Sequence, residues 1–445
     1  MQKYISYLIT FSFLFYSCIA SDKLNLQNPK ILFDFNSSSI PFKELNGITN
    51  YSGCIPSVIR TNSNGEIFVS FPRYNTSSTH PTFTKLNNNS IYFEKWPMNG
   101  KDMSSVNGFE IDDKDNIFIL DQGEQTLNIF SYEGDLLGSI DLSPHTLNDS
   151  NSNTILHDIV LEPTRGLAFI STTNSYSVIE NADDSKIKSQ LIIVNYTLPT
   201  ESNKKVESSI KVFKNETFAP DKSYWLHIND VPVNTTNPEN ITKPVLIGLS
   251  NLAISCSFDY LYFSPLTSDK IYSIKVDDLY PLSTDITINE NYKGFASSSI
   301  LMSGNGHLYL ADLTTSLIKQ YKQLSNLDEM IYKNINPLHS QNDTQSNWPS
   351  SIALYKNSLY YITNNFHLFE ANNIVNVKLF NITIDNDEKR YVEGCSYDNF
   401  TTSYQNIILW IVFSILILVV LSFVLINSQK QDESTEKSDI DSFID

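Results

Sequence analysis

Six polar residues recur at one place in a repeated phrase of this chain: Ser57, Asn107, His157, Asn251, Ser298 and Ser350. Hydroxyls, amides and an imidazole gathered in one ring offer hydrogen-bond donors and acceptors to a small molecule. Asn carbonyls with water also suit a hard cation such as calcium, although a calcium site wants more carboxylates than this ring supplies. No cofactor is expected, with calcium kept as the one alternative. His157 is the ring member that titrates near neutral pH, which makes it the candidate general base. A wet channel with no ligand would be lined by the same residue types, and both readings stand at this point. No GxSxG elbow, HExxH pair or phosphate-binding loop occurs, so the residues fit a binding module and an enzyme alike.

The elements that would position this ring are legible as a repeat. An apolar strand, a turn rich in Asn, Asp, Gly or Ser, and a second apolar-aromatic strand occur six times. The second strands begin at Ile67, Ile117, Leu167, Leu261, Leu308 and Leu359. The steps are 50, 50, 94, 47 and 51 residues, one period of about 50 with a single insertion of about 44 in the long step. Hairpins that cannot bury both faces alone must stack. A period of about 40–50 residues with several strands per unit predicts a β-propeller. Third-strand candidates follow at Leu127–Phe130, Leu191–Val194, Ile271–Ile274 and Leu317–Tyr321. The fold expected is therefore all-β, a six-bladed propeller. In it the start of each first strand lines a central channel. The insertion, about residues 180–244, is expected to be elongated strands and a long loop on one face. The second strands end on Ser70, Asp121, Ser171, Ser264, Asp312 and Thr363; the two acids there suit turns, and alternatively a bound amine.

The ends of the chain predict a compartment. Residues 1–20 carry Lys3, an apolar Tyr7–Phe15 core and the small-residue site Cys18-Ile19-Ala20, the pattern of a secretory signal. Residues 21–405 then form the ectodomain. Residues 406–426 are expected to be a single transmembrane helix, since Ile407–Ile426 holds no charge over a bilayer's worth of chain. Residues 427–445 form an acidic, polar cytoplasmic tail. This makes a single-pass type I membrane protein of the cell surface or secretory pathway, with its N-terminus outside. Asn-x-Ser/Thr glycosylation sites at Asn36, Asn50, Asn75, Asn88, Asn148, Asn195, Asn215, Asn234, Asn240, Asn342, Asn381 and Asn399 all fall between the signal and the helix. Of the total charge of −18, −15 lies outside, which argues against nucleic acid as a partner. Partners expected are a small molecule or an extracellular protein, with the membrane met through the chain's own helix. Cys54, Cys256 and Cys395 remain after signal removal, enough for one disulfide whose pairing is open.

Several phrases resemble the yellow and major royal jelly protein family. Leu261-Tyr262-Phe263-Ser264-Pro265-Leu266-Thr267-Ser268 is similar to that family's LYFSPLSS segment. Phe109-Glu110-Ile111-Asp112 with Ile117–Gly123, Phe68–Arg73, His157-Asp158-Ile159-Val160 and Leu359–Asn365 follow its other phrases in order. The resemblance implies a six-bladed propeller that binds a biogenic amine or converts dopachrome. It implies ligand contacts at Asn364 and Phe366. Calcium-dependent lactonases use similar propellers, but here only Asn251 matches, while His157 and Ser350 stand where Asn and Asp are expected. A C-terminal membrane helix is a departure from the family and favours a cell-surface role.

Overall fold

The computed structural model describes residues 30–34, 55–73, 80–87, 92–98, 102–147, 154–174, 188–199, 206–228, 231–236, 242–322, 331–335, 348–364, 377–388, 390–394, 409–415, 417 and 422. Blade 1 is Ile59–Thr61, Ile67–Ser70, Phe83–Asn87 and Tyr92–Lys95, and blade 2 is Val106–Ile111, Ile117–Asp121, Thr126–Phe130 and Leu136–Asp141. Blade 3 is Thr154–Glu162, Leu167–Asn174, Ser189–Thr197 and Glu207–Phe213. Blade 4 is Leu249–Ile254, Tyr260–Pro265, Lys270–Lys275 and Ile288–Lys293, and blade 5 is Ser297–Met302, His307–Asp312, Leu317–Lys322 and Ile331–Ile335. Every neighbouring pair within these sheets is antiparallel.

Blade 6 joins the two ends of the propeller. The run Trp348–Asn364 reverses at Lys356, where φ is 51°. Its second half pairs with Lys378–Glu388, which pairs in turn with the N-terminal strand Lys30–Asp34. The inner strands then pack in a closed circle, each against the next and the sixth against the first. This is the six-bladed propeller that the repeat predicts, with the four third-strand candidates in place.

Each strand splits its side chains between two seams. Ile117 and Ile119 face the cluster between blades 1 and 2, with Phe68, Phe83 and Trp96. Phe118 and Leu120, one residue along, face the cluster between blades 2 and 3, with Leu156, Ile159 and Ile170. A strand's side chains alternate in direction, and here both directions are interior, so the strand is apolar throughout rather than alternating. Each of the six hairpins turns through one residue of positive φ: Gly65, Asp115, Gly166, Phe258, Gly306 and Lys356. That explains the recurring turn chemistry of the sequence.

The insertion lengthens blade 3, whose strands run nine, eight, nine and seven residues. It then makes two small hairpins, His227–Ile228 with Val231–Pro232 and Asn234–Thr236 with Thr242–Pro244. Leu226, Ile228 and Val233 pack there against Ile247, Leu266, Ala296, Leu313 and Trp348.

Residues 1–394 and 395–445 are separate compact units. Among the described residues no helix is long and apolar enough to cross a membrane. Of the helix expected at 406–426, only 409–415, 417 and 422 are described, and these are helical. The signal, the tail, Cys54, Cys395 and Phe366 lie outside the described residues, as do Asn36, Asn50, Asn75, Asn88, Asn148, Asn240, Asn342 and Asn399. Cys256 is disulfide-bonded. Asn195 and Asn215 are half-buried, and Asn381 lies in the strand between Lys30–Asp34 and the second half of Trp348–Asn364.

Blades 2 and 3 approach so closely that a β-carbon at Gly108 would stand 2.5 Å from the His157 carbonyl oxygen. Backbone on both sides leaves little room to relax. Gly108→Ala should therefore lower the free energy of unfolding by about 1–3 kcal/mol, read as a lower urea midpoint. An unchanged midpoint would mean that the two strands separate freely.

Candidate functional site

The inner strands share a local irregularity. His157 and Asp158 stand together opposite Ser171, between the pairs Leu156–Thr172 and Ile159–Ile170. The same two-against-one bulge puts Asn107 and Gly108 opposite Leu120, Ser250 and Asn251 opposite Ser264, and Ser298 and Ser299 opposite Ala311. In blade 1, Ser70 N donates to Val58 O at 3.0 Å and Ser57 N to Ser70 O at 2.9 Å, which is the same arrangement. A bulge re-aims side chains that a regular strand would point to opposite faces. Here it lets two consecutive residues serve the channel.

Many of these residues bind the neighbouring blade. Ser70 Oγ donates to Asn107 O at 3.3 Å, and Ser171 Oγ to Ser250 O at 2.8 Å. Asn251 Nδ2 donates to Ser297 O at 2.7 Å, and Ser298 Oγ to Pro349 O. Ile59 N donates to Ser351 Oγ at 3.1 Å, closing blade 6 onto blade 1. Between blades 2 and 3 the link is Gln122, which accepts from Leu156 N at 2.8 Å and donates to Thr154 O. The acids at the second-strand ends serve turns. Asp121 accepts from Ser104 N and Gly123 N at 3.0 and 3.2 Å, and Asp312 from Thr314 N at 2.8 Å and Lys319 Nζ at 2.7 Å.

A cavity of about 130 Å³ opens above this ring. Its polar lining is Ser57, Arg60, His157, Asp158, Ser250, Asn251, Ser298, Ser299, Ser350, Ser351 and Asn364. Its apolar lining is Ile55, Pro56, Val58, Ile247, Leu266 and Trp348, three of which also carry the packing of the insertion. Five of the six ring residues therefore meet in one cavity with Asn364, and Asn107 does not line it. The register corrects one of the five: Ser250, not Asn251, aligns with His157, because the blade 4 bulge begins directly after Leu249.

The cavity is bounded by a buried charge cluster that the ring reading missed. Arg60 Nε donates to Glu110 Oε2 at 2.9 Å, and Nη2 to Asp158 Oδ1 at 3.3 Å. Arg60 Nη1 binds Ile59 O at 2.9 Å. Burial works against the guanidinium's charge, but Glu110 and Asp158 outweigh it and hold its pKa above the usual value. Asp158 Oδ2 also accepts from Leu252 N, and Oδ1 from Ile159 N, both at 3.0 Å. Burial nonetheless pushes the Asp158 carboxyl up to about 6, and the like charge of Glu110 adds to it. Burial alone pushes the His157 imidazole down to about 4. By register Arg60 and Glu110 occupy the place filled by Val160, Ala253 and Leu301 in later blades. Two charges at a repeat position that is otherwise apolar were the signal available in the sequence.

The opposite end of the channel is stopped by residues 390–393. Arg390 binds Asp115 Oδ1 at 3.3 Å, Glu393 Oε1 at 3.1 Å and Thr61 O at 3.2 Å. Tyr391 Oη accepts from Leu161 N at 2.9 Å. Among the described residues no cluster of three or more His, Cys, Asp or Glu is placed to hold a metal ion.

The opposed displacements of His157 and Asp158 have a measurable signature. Between about pH 4 and 6.5 the folded His157 binds fewer protons than the unfolded one, so its contribution to stability grows as pH rises. Between 3.8 and about 6 the folded Asp158 binds more protons than the unfolded one, so its contribution falls as pH rises. The two slopes oppose each other. In His157→Gln only the second remains, and the variant's stability relative to the parent should decline steadily from about pH 4 to 6 in urea titrations. A pH-independent difference would overturn this assignment.

No curated protein matches this chain. Among solved structures, a luciferin-regenerating enzyme is similar at 10% identity, with 76% of this chain and 93% of that one covered and a TM-score of 0.47. A virginiamycin B lyase from Staphylococcus aureus is similar at 13% identity over 76% and 97%, with a TM-score of 0.39. A calcium-binding regucalcin from Agrobacterium tumefaciens is similar at 11% identity over 76% and 94%, with a TM-score of 0.41. None of these likenesses bears on chemistry. The major royal jelly protein family model matches residues 213–392, from the last residue of blade 3 to the channel plug, and the family resemblance read from the sequence holds over that stretch.

Proposed function

We propose that this protein is a membrane-anchored, glycosylated propeller that binds a small molecule in the channel-mouth cavity, with biogenic amines the favoured class. The observation that carries this reading is the composition of the cavity. Val58, Ile247, Leu266 and Trp348 line it together with Asp158, and one guanidinium, Arg60, is shared between Asp158 and Glu110. Two carboxylates on one cation leave a negative charge that a ligand ammonium can balance. A volume near 130 Å³ is close to that of a cavity able to hold one benzene ring. Serine hydroxyls and Asn251 would meet ring hydroxyls.

Anchoring rests on residues 407–426. The described helical side chains Leu409, Trp410, Ile411, Val412, Phe413, Ile415 and Ile417 are all exposed and apolar, and Ser414 Oγ returns its hydrogen bond to Trp410 O at 2.8 Å. The orientation that goes with this is type I, with the propeller outside. Calcium is a poor occupant of a cavity that contains the Arg60 guanidinium.

A second reading is an isomerase of the dopachrome-converting type. It is favoured by His157 and Asp158, which line the same cavity, one neutral and one ionised near pH 7. In that reading turnover should fall in His157→Ala.

The test is the melting temperature of the full-length protein in detergent, with and without catecholamines, indoleamines and calcium. An amine at a hundred times its dissociation constant should add about 2.7 kcal/mol of stability, and Asp158→Asn, binding it about tenfold more weakly, should show about half that gain. A response to calcium alone would overturn the amine reading in favour of a metal-dependent one. No response to any of them would leave a protein partner as the occupant of this face.

A further inference from the structure

We infer that Glu110, which does not line the cavity, is the residue that makes the cavity selective for cations, by taking the larger share of the Arg60 guanidinium that would otherwise neutralise Asp158. This rests on the reading of the cavity as a small-molecule site. The geometry is asymmetric. Glu110 takes the Arg60 Nε at 2.9 Å and is 4% exposed, whereas Asp158 meets only Nη2, at 3.3 Å. Glu110 Oε1 is itself fixed by Ile111 N at 2.9 Å. The guanidinium is thus committed to the carboxylate deeper in the channel, and the one at the cavity keeps unspent charge.

The groups facing Asp158 support the same assignment. Blade 1 presents Arg60, blade 2 presents Glu110, and the channel plug presents Tyr391, whose hydroxyl is held neutral well above its usual range. On its own strand, His157 is neutral at physiological pH. From blades 4 to 6 the cavity receives Ser250, Asn251, Ser298, Ser299, Ser350, Ser351 and Asn364, none of which titrates. Glu110 is therefore the acid that competes with Asp158 for the one cation. Removing its charge frees Arg60 to swing fully onto Asp158, and the cavity becomes neutral.

The experiment compares a cation with its uncharged counterpart, dopamine and 4-methylcatechol, on the full-length protein by calorimetry. The parent should bind dopamine about tenfold more tightly, the equivalent of one pKa unit at Asp158. Glu110→Gln should bind both alike, with 4-methylcatechol affinity retained, and Asp158→Asn should do the same. A Glu110→Gln variant that keeps the preference for dopamine overturns the inference. A ligand-free measurement separates this from failure of the binding reading. In Glu110→Gln the Asp158 carboxyl should titrate at lower pH, because a like charge is gone, and the fall in stability between about pH 4 and 6 should shrink. An unchanged profile overturns the inference whatever binds. A changed profile in a protein that takes up neither molecule overturns the binding reading, and the selectivity with it.

Discussion

The molecule depends on satisfying backbone at the inner edge of six sheets. A strand at the edge of a sheet has one row of N–H and C=O groups without a ladder partner. In a propeller those edges meet around the channel, out of reach of bulk water, where an unpaired polar group is costly. Small polar side chains resolve this by carrying hydrogen bonds across each seam. Ser70, Gln122, Ser171, Asn251, Ser298 and Ser351 each reach the backbone of an adjoining blade. Ser70, Gln122 and Ser171 do this from the end of a second strand, and Asn251 and Ser298 from the bulge of an inner strand, where two consecutive residues can serve the channel and the seam together. Asn251 and Ser298 of the polar ring thus serve a seam as well as the cavity.

The ring was legible because it is periodic. Ser57, His157, Ser298 and Ser350 were placed by counting back from apolar strands at a step of about 50 residues, and they do meet in the cavity. Asn251 was read one residue late, since a bulge that begins a residue earlier leaves no mark in composition. The charge cluster was not legible by the same means. Arg60 and Glu110 lie fifty residues apart at the same repeat position, and reading for what copies share hides what only two of them carry. Asp158 was visible only as part of a family phrase, since its burial and shared cation depend on blades 1, 2 and 4 meeting it in space.

The insertion couples size to shape at the channel mouth. Leu226, Ile228 and Val233 bring Ile247, Leu266 and Trp348 into one cluster, and the last three continue into the cavity wall. The cavity is thereby lined by apolar as well as polar side chains. At the far end Arg390 binds Thr61 O, Asp115 and Glu393, and Tyr391 binds Leu161 N.

The sixth blade has a temporal meaning. Its outermost strand, Lys30–Asp34, precedes the other five blades in the chain, and the strand that receives it, Lys378–Glu388, follows them. Contacts of such separation are slow to form, since the loop they close must be ordered first. The circle cannot close until Lys378–Glu388 is present to receive Lys30–Asp34. The circle is then fastened by its own two tips. Closure is thus the step that spans the propeller's whole length of chain, and an unclosed arc leaves the apolar seam between its first and last blades uncovered.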